Sequence, residues 1–309
     1  MSQTPHTVTV SVPTTQLADD LAPLPDGVDV VVWSLSGPPP RDAFDIVVPP
    51  YMSMAQSLAA LAGVDVALVQ GQSIGFDGVD EHLPRGMRFA NASSVHEAST
   101  AELALALVLA SQRDLPRYVR AQDRHEWASA PSPSLADRRV LVLGYGGVGK
   151  AVAARLAPFE THVTVVASRA RVEDGVAVHG VDELHKLLPE AEIVILTLPG
   201  GEATRHIADA DFLAALPDGA LVVNVGRGPL IDTDALVAEV GSGRLRAALD
   251  VTDPEPLPED HALWGLEGAL IVPHVGGDSS AMRPRMAALV KAQIERMQAG
   301  EPPLNLVIG

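Results

Sequence analysis

At 309 residues, 47% hydrophobic and 20% charged, the chain has the length and apolar content of a two-domain globular protein. A formal net charge of −17 opposes nucleic acid and anionic membrane as partners, and the absence of cysteine excludes disulfides and thiolate chemistry. The longest apolar run, residues 103–110, is too short to span a bilayer, and the N-terminus lacks the basic and apolar blocks of a secretory signal, so a cytoplasmic location is expected. Short buried strands are predicted at residues 7–12, 28–33, 45–48, 67–70 and 87–90, with helices over 14–21 and 53–61 that Thr14 and Ser53 would cap. Together they make a first parallel α/β unit. Residues 97–113 predict a long helix, apolar nearly all round, that reads as a buried packing or subunit-contact element. The segment 114–137, carrying Trp127, Pro131 and Pro133, reads as an extended excursion able to wrap a partner subunit. A second series of strands is predicted at 139–143, 162–167, 192–198, 220–225, 246–251 and 269–272, separated by helical segments in the pattern of a doubly wound sheet. A last helix over 279–298 precedes a tail, 301–309, that returns to the first domain.

The run Gly144-Tyr145-Gly146-Gly147-Val148-Gly149 directly follows the apolar strand 139–143 and opens a helix. In such a strand-turn-helix unit the first glycine permits the tight turn, the second lets a pyrophosphate approach the backbone, and the third lets helix and sheet pack closely; the helix N-terminus favours the negative charge. Dinucleotide binding is the expected use. No paired-histidine metal spacing occurs, so no metal is expected, and His96, His125, His179, His185 and His206 read as surface or packing residues.

Further short motifs stand in order along the chain: Asn91-Ala92 with Thr100-Ala101-Glu102, Leu198-Pro199 with Thr204, Asn224-Val225-Gly226-Arg227-Gly228, Ala248-Leu249-Asp250-Val251 with Glu255-Pro256, and Pro273-His274-Val275-Gly276-Gly277. With the glycine turn, they make the chain resemble the D-isomer-specific 2-hydroxyacid dehydrogenase family over almost its full length. The resemblance implies an α/β fold of two doubly wound parallel-sheet domains. A Rossmann cofactor domain, 95–277, would be inserted into a flavodoxin-like substrate domain made of 1–94 and 278–309, with the catalytic cleft between them and a homodimer formed through the cofactor domain.

The chemistry of that family reduces a 2-keto acid by hydride transfer, which requires a proton donor and a cation at the carbonyl. The resemblance assigns His274 as the donor, Glu255 as the carboxylate that raises its pKa and orients the ring, and Arg227 as the fork that binds the substrate carboxylate. Asp250 falls beside the nicotinamide end of the cofactor. Leu198, Pro199, Thr204, Val225, Gly226 and Gly276 join Gly144, Tyr145, Gly146, Gly147, Val148 and Gly149 as expected cofactor contacts. Ser73-Ile74-Gly75 matches the loop whose backbone N–H groups face the substrate carboxylate, a nest that suits an anion without adding charge. Tyr51 and Met52 fall where the family lines its pocket, whereas Arg283 and Arg285 read as charges that solvate the last helix.

One departure bears on the cofactor. Where the second strand of such a domain commonly ends in Asp or Glu, this chain has Ala167, followed by Ser168 and Arg169, with Arg171 nearby. An acidic side chain there would repel a 2′-phosphate, whereas Ser168 and Arg169 can accept one, so NADP(H) is favoured and NAD(H) stays open. Glu160 also replaces the glycine usual just before the second strand, a change read as local backbone adjustment. The expected function is reduction of a small 2-keto acid, glyoxylate or hydroxypyruvate in type. The alternatives are an NAD-linked dehydrogenase of a larger or phosphorylated 2-hydroxy acid and a dinucleotide-sensing, corepressor-like binding protein without turnover.

Overall fold

The computed structural model describes residues 7–309; residues 1–6, where the targeting-signal reading begins, lie outside it. The chain divides into two compact units, Met1–His96 with Ser279–Gly309, and Glu97–Asp278. In chain order the first unit begins with strands β1 (Val8–Val12), β2 (Val28–Val32), β3 (Ala43–Val47), β4 (Asp65–Gln70) and β5 (Phe89–Ala90). The second contains β6 (Arg139–Leu143), β7 (His162–Ala167), β8 (Arg171–Glu173), β9 (Val176–Gly180), β10 (Ile193–Leu196), β11 (Leu221–Asn224), β12 (Arg246–Leu249) and β13 (Ala269–Ile271). The tail forms β14 (Leu306–Ile308). No helix among the described residues is long and apolar enough to cross a membrane.

In the first unit the sheet order is β14-β5-β4-β3-β1-β2, parallel except for β14, which runs antiparallel to β5 with Leu306 opposite Ala90. Both sheet faces are covered. Val8, Val10, Val12 and Ile46 pack with Leu17 and with Met286, Leu289, Val290 and Ile294 of the last helix, Met282–Gln298. Phe44, Val47, Val66 and Val69 pack with Met54, Leu58, Leu61 and Val79. Thr14 caps its helix as expected, accepting from the Leu17 N–H at 3.2 Å. Ser53 does not cap: it is left-handed at φ 58° with no side-chain cap bond, and the predicted helix after it splits into an α turn, Met54–Ser57, and a 3-10 turn, Leu58–Leu61.

The second unit has the order β13-β12-β11-β10-β6-β7-β9-β8. After β6 the chain first builds outward through β7 and then crosses back to lay β10 on the other side of β6, which puts a topological switch point between β6 and β10. Successive residues of each strand serve opposite cores. Leu141, Leu143, Val194, Leu196, Val222 and Leu249 join one cluster with Phe212, Leu236 and Val240, while Val140, Val142, Ile193, Ile195, Val223 and Ala248 join the other with Ala104, Leu105, Val108 and Val152. Strands covered on both faces need apolar residues at every position, which is why they appear in the sequence as unbroken runs.

Two features depart from the sequence reading. The excursion contains a helix, Leu115–Asp123, that starts with Pro116 in its first turn and leaves Leu115 and Val119 exposed. Only Ala121 of its apolar residues is buried, so the pattern that marks a buried helix is missing. After β7 comes an antiparallel hairpin of β8 and β9, which turns at Asp174-Gly175, both at positive φ. The Asp-Gly pair between alternating valines, Val172, Val176 and Val178, was its signal. Glu160 adopts the left-handed conformation, φ 59°, that the usual glycine would take without steric cost.

The glycine turn is held by backbone contact. A Cβ on Gly149 would lie 1.9 Å from the Gly144 carbonyl oxygen, and one on Gly144 would lie 2.7 Å from Thr197 Oγ1, whereas one on Gly146 would meet nothing within 4 Å. Gly149→Ala is therefore expected to cost about 3 kcal/mol, seen as a lower denaturant midpoint. Gly146→Ala should melt like the parent protein, and equal midpoints for all three would contradict the close approach.

Candidate active site

Parallel strands bring the ends of five segments to one level. Leu143 of β6 registers with Leu196 of β10, Leu196 with Asn224 of β11, Asn224 with Leu249 of β12, and Leu249 with Ile271 of β13. The loops leaving these ends carry, in that order, Gly144–Gly149, Leu198-Pro199, Val225-Gly226-Arg227, Asp250 and His274. Loops at the carboxyl ends of parallel strands, around a switch point, are where open α/β sheets bind ligands.

The first of these loops fits a dinucleotide. The helix Gly147–Leu156 begins just beyond Gly146, whose open Cβ direction leaves room for a phosphate to approach the backbone. Ser168 and Arg169 follow the end of β7, and both are exposed. Among the described residues the Arg169 guanidinium pairs with no carboxylate. Arg171 instead binds Glu173, with the salt bridge at 2.7 Å. After β10, Thr204 closes its loop by donating to the Pro199 carbonyl at 2.8 Å.

Asn224 organises the β11 loop. Its buried side chain donates to the Arg227 carbonyl at 2.8 Å and accepts from the Gly226 N–H at 3.0 Å. Gly226 and Gly228 sit against backbone: a Cβ on Gly226 would lie 2.7 Å from the Leu198 carbonyl oxygen, and one on Gly228 would lie 1.8 Å from that of Thr252. Arg227 is half-buried in extended backbone, φ −143°, and its Nη1 donates to the Gly226 carbonyl at 2.7 Å. The loop is thus fixed on both sides of the arginine.

Asp250 is 3% exposed and accepts from the Val275 N–H at 2.7 Å and the Gly276 N–H at 3.0 Å; its own carbonyl accepts from the His274 N–H at 2.7 Å. Burial raises the Asp250 carboxyl above its ordinary pKa against the opposing pull of those two N–H donors and the His274 charge. These bonds pin His274 in a left-handed conformation, φ 53°. Its Nδ1 lies 2.5 Å from Glu255 Oε1. The hydrogen bond to Glu255 is the main reason the imidazole pKa is raised, with burial opposing, the Glu255 and Asp250 charges adding to the rise and the Arg227 charge subtracting from it. For Glu255, burial alone would raise the carboxyl, but the His274 hydrogen bond and charge, the Thr252 N–H and Arg227 outweigh it and hold it low. An ionised carboxylate therefore faces an imidazole biased toward its cation, an arrangement that can donate and recover a proton.

In the first unit the loop after β4 has its carbonyls occupied. Ala92 N–H donates to Ser73 O at 2.9 Å, the Asn91 side chain donates to Ile74 O at 2.8 Å, and Ser73 Oγ donates to Gly75 O at 2.6 Å. Among the described residues, the Ile74 and Gly75 N–H groups donate to no protein acceptor, as an anion nest requires. Tyr51 stacks on His96 at 5.8 Å between centroids, and His96 is itself buried against the Gln72 carbonyl at 2.6 Å. Met52 is exposed, and Arg283 is tied to Asp20 at 2.9 Å. Asn91 and Asn224 are the organising residues that a reading centred on charged groups passes over. Their signal was the position of each beside a candidate loop. No group of three or more His, Asp or Glu side chains suited to a metal ion occurs among the described residues.

Residues 105–276 match the family described as D-isomer specific 2-hydroxyacid dehydrogenase, NAD binding domain. The chain is 32% identical over 261 residues to glyoxylate/hydroxypyruvate reductase A of Arabidopsis thaliana, covering 82% of each. It is similar to a D-isomer specific 2-hydroxyacid dehydrogenase from Xanthobacter autotrophicus Py2 solved with NADPH and MES, at TM-score 0.81, 29% identity and coverage of 97% of this chain and 98% of that one. It is likewise similar to an NADPH-dependent glyoxylate/hydroxypyruvate reductase from Sinorhizobium meliloti solved with NADP and sulfate, at TM-score 0.82, 25% identity and coverage of 97% and 98%. With a family match over more than half its length and the glycine turn, arginine, glutamate and histidine of that family's motifs, the chain belongs to the D-isomer-specific 2-hydroxyacid dehydrogenases, oxidoreductases that use a nicotinamide cofactor.

Proposed function

We propose that the protein is an NADPH-preferring reductase of small 2-keto acids, of glyoxylate or hydroxypyruvate type, whose reverse reaction oxidises the matching D-2-hydroxy acid. The observation that carries this reading is the His274–Glu255 pair, 2.5 Å apart, on a strand-end level shared with Arg227 and the glycine turn. The names of the relatives, and the NADPH and NADP bound in the two similar structures, support it.

When bound, the nicotinamide cofactor supplies the hydride. Arg227 binds the substrate carboxylate and polarises the carbonyl, a task for a permanently charged planar fork. His274, biased toward its cation by Glu255, donates the proton that the developing alkoxide requires. Asp250 fixes the His274 loop and keeps acceptor capacity for an amide donor on the cofactor. Gly144–Gly149, Leu198, Pro199, Thr204, Val225, Gly226 and Gly276 form the cofactor cradle, Ser168 and Arg169 receive a 2′-phosphate, and the Ser73–Gly75 nest binds a carboxylate. The cofactor-binding role belongs to the unit Glu97–Asp278, and its exposed Leu115, Val119 and fully exposed Trp127 support a homodimer.

His274→Gln should lower kcat by about a hundredfold or more while NADPH affinity, read by fluorescence titration, stays unchanged; equal loss of both would make His274 structural. Because the His274 pKa is raised, the protonated donor is present below it and disappears as pH rises through it, so the reduction rate falls on the alkaline side. Glu255→Gln removes the main cause of the rise and should move that fall to lower pH; an unmoved pH profile would contradict the pairing. Arg169→Asp should shift the NADPH/NADH ratio of kcat/KM toward NADH, and an unchanged ratio would remove Arg169 from cofactor recognition.

A further inference from the structure

Beside Ser168 and Arg169 stands a charge cluster that the reading above leaves unused. Glu173, on β8, hydrogen-bonds Lys150 Nζ and binds Arg171 through Nε at 2.8 Å and Nη2 at 2.7 Å. Lys150 belongs to the helix Gly147–Leu156, with its ammonium 5.8 Å from the Tyr145 ring centroid. Arg171 Nη1 reaches back to the Arg169 carbonyl at 3.4 Å. One carboxylate thus joins the glycine-rich turn to the segment that follows β7, and it engages two cations at once. The bonds from Lys150 first and Arg171 second hold the Glu173 carboxyl below its ordinary range, which keeps it ionised at neutral pH.

A 2′-phosphate and a carboxylate seek the same guanidinium and ammonium donors. We propose that Glu173 is a specificity-determining residue that restrains 2′-phosphate recognition, competing with the phosphate for Arg171 and Lys150 so that Arg169 supplies most of the discrimination; this rests on the NADP(H) reading above. The hairpin gives the device its place. Its Asp174-Gly175 turn folds β8 back along β9, and β9 pairs with β7, so Glu173 is fixed relative to the strand whose end carries Ser168. In an enzyme that must exchange its dinucleotide every cycle, such restraint favours release of the spent cofactor.

The test is isothermal titration of the wild-type protein, Glu173→Gln and Glu173→Ala with adenosine 2′,5′-bisphosphate and with 5′-AMP, after matching thermal melts. Removing one negative charge near a phosphate at a protein surface should tighten the 2′-phosphorylated ligand about five- to tenfold and leave 5′-AMP unchanged. Unchanged or weaker binding of the bisphosphate in both variants, or equal tightening of both ligands, would overturn the proposal. Failure of the underlying reading looks different: wild-type protein would then bind the two ligands equally.

Discussion

The site depends on one constraint, the common level at which five parallel strands end. Leu143, Leu196, Asn224 and Leu249 are buried and, with the half-buried Ile271, are locked into register by ladder hydrogen bonds, so a slip would expose apolar side chains and lose pairs. Each loop then leaves from a fixed height. Close backbone contacts set what happens next: Gly149 against Gly144, Gly226 against Leu198 and Gly228 against Thr252 leave no room for a side chain. Rigid strand ends and glycine-tight loops hold Arg227, Asp250 and His274 in place, as the proposed function requires of a preorganised site.

Electrostatics work locally against the global charge. The chain carries −17 overall, yet an anionic substrate and a phosphorylated cofactor need positive potential. In the proposed function Arg227, His274 with its raised pKa and the exposed Arg169 provide it. Acids bear on how much of that charge is free: the Glu255 hydrogen bond raises the His274 pKa, Asp250 pins its loop, and Glu173 occupies Lys150 and Arg171. The same residue type raises positive charge in one place and masks it in another, according to whether its partner is titratable or permanently charged.

The sequence shows the sheets better than the surface. Buried strands such as 139–143 and 162–167 are legible because both faces demand apolar residues, and the glycine turn is legible because its spacing follows from geometry. The helix Leu115–Asp123 is hidden because Leu115 and Val119 face outward, where no core periodicity forms. The β8–β9 hairpin was within reach through its Asp-Gly turn, but its strands are short and mostly exposed. Individual candidate residues were visible through their motifs. The partnership of His274 with Glu255 was legible through the family resemblance, and Asn224 with Arg227 is local, but Lys150 with Glu173 exists only once the sheet and its hairpin have formed. The capping role expected of Ser53 failed because that residue turns left-handed, a choice made by the surrounding loop and not by the residue type.

We propose that these loops form a working 2-keto acid reductase. The most direct measurement follows the absorbance of NADPH and of NADH, in parallel, with glyoxylate, hydroxypyruvate, pyruvate, phenylpyruvate and 2-ketoisocaproate as substrates. Faster oxidation of NADPH than NADH, greatest with glyoxylate or hydroxypyruvate, is the predicted result. No turnover of any of these acids by protein that binds NADPH tightly would contradict it.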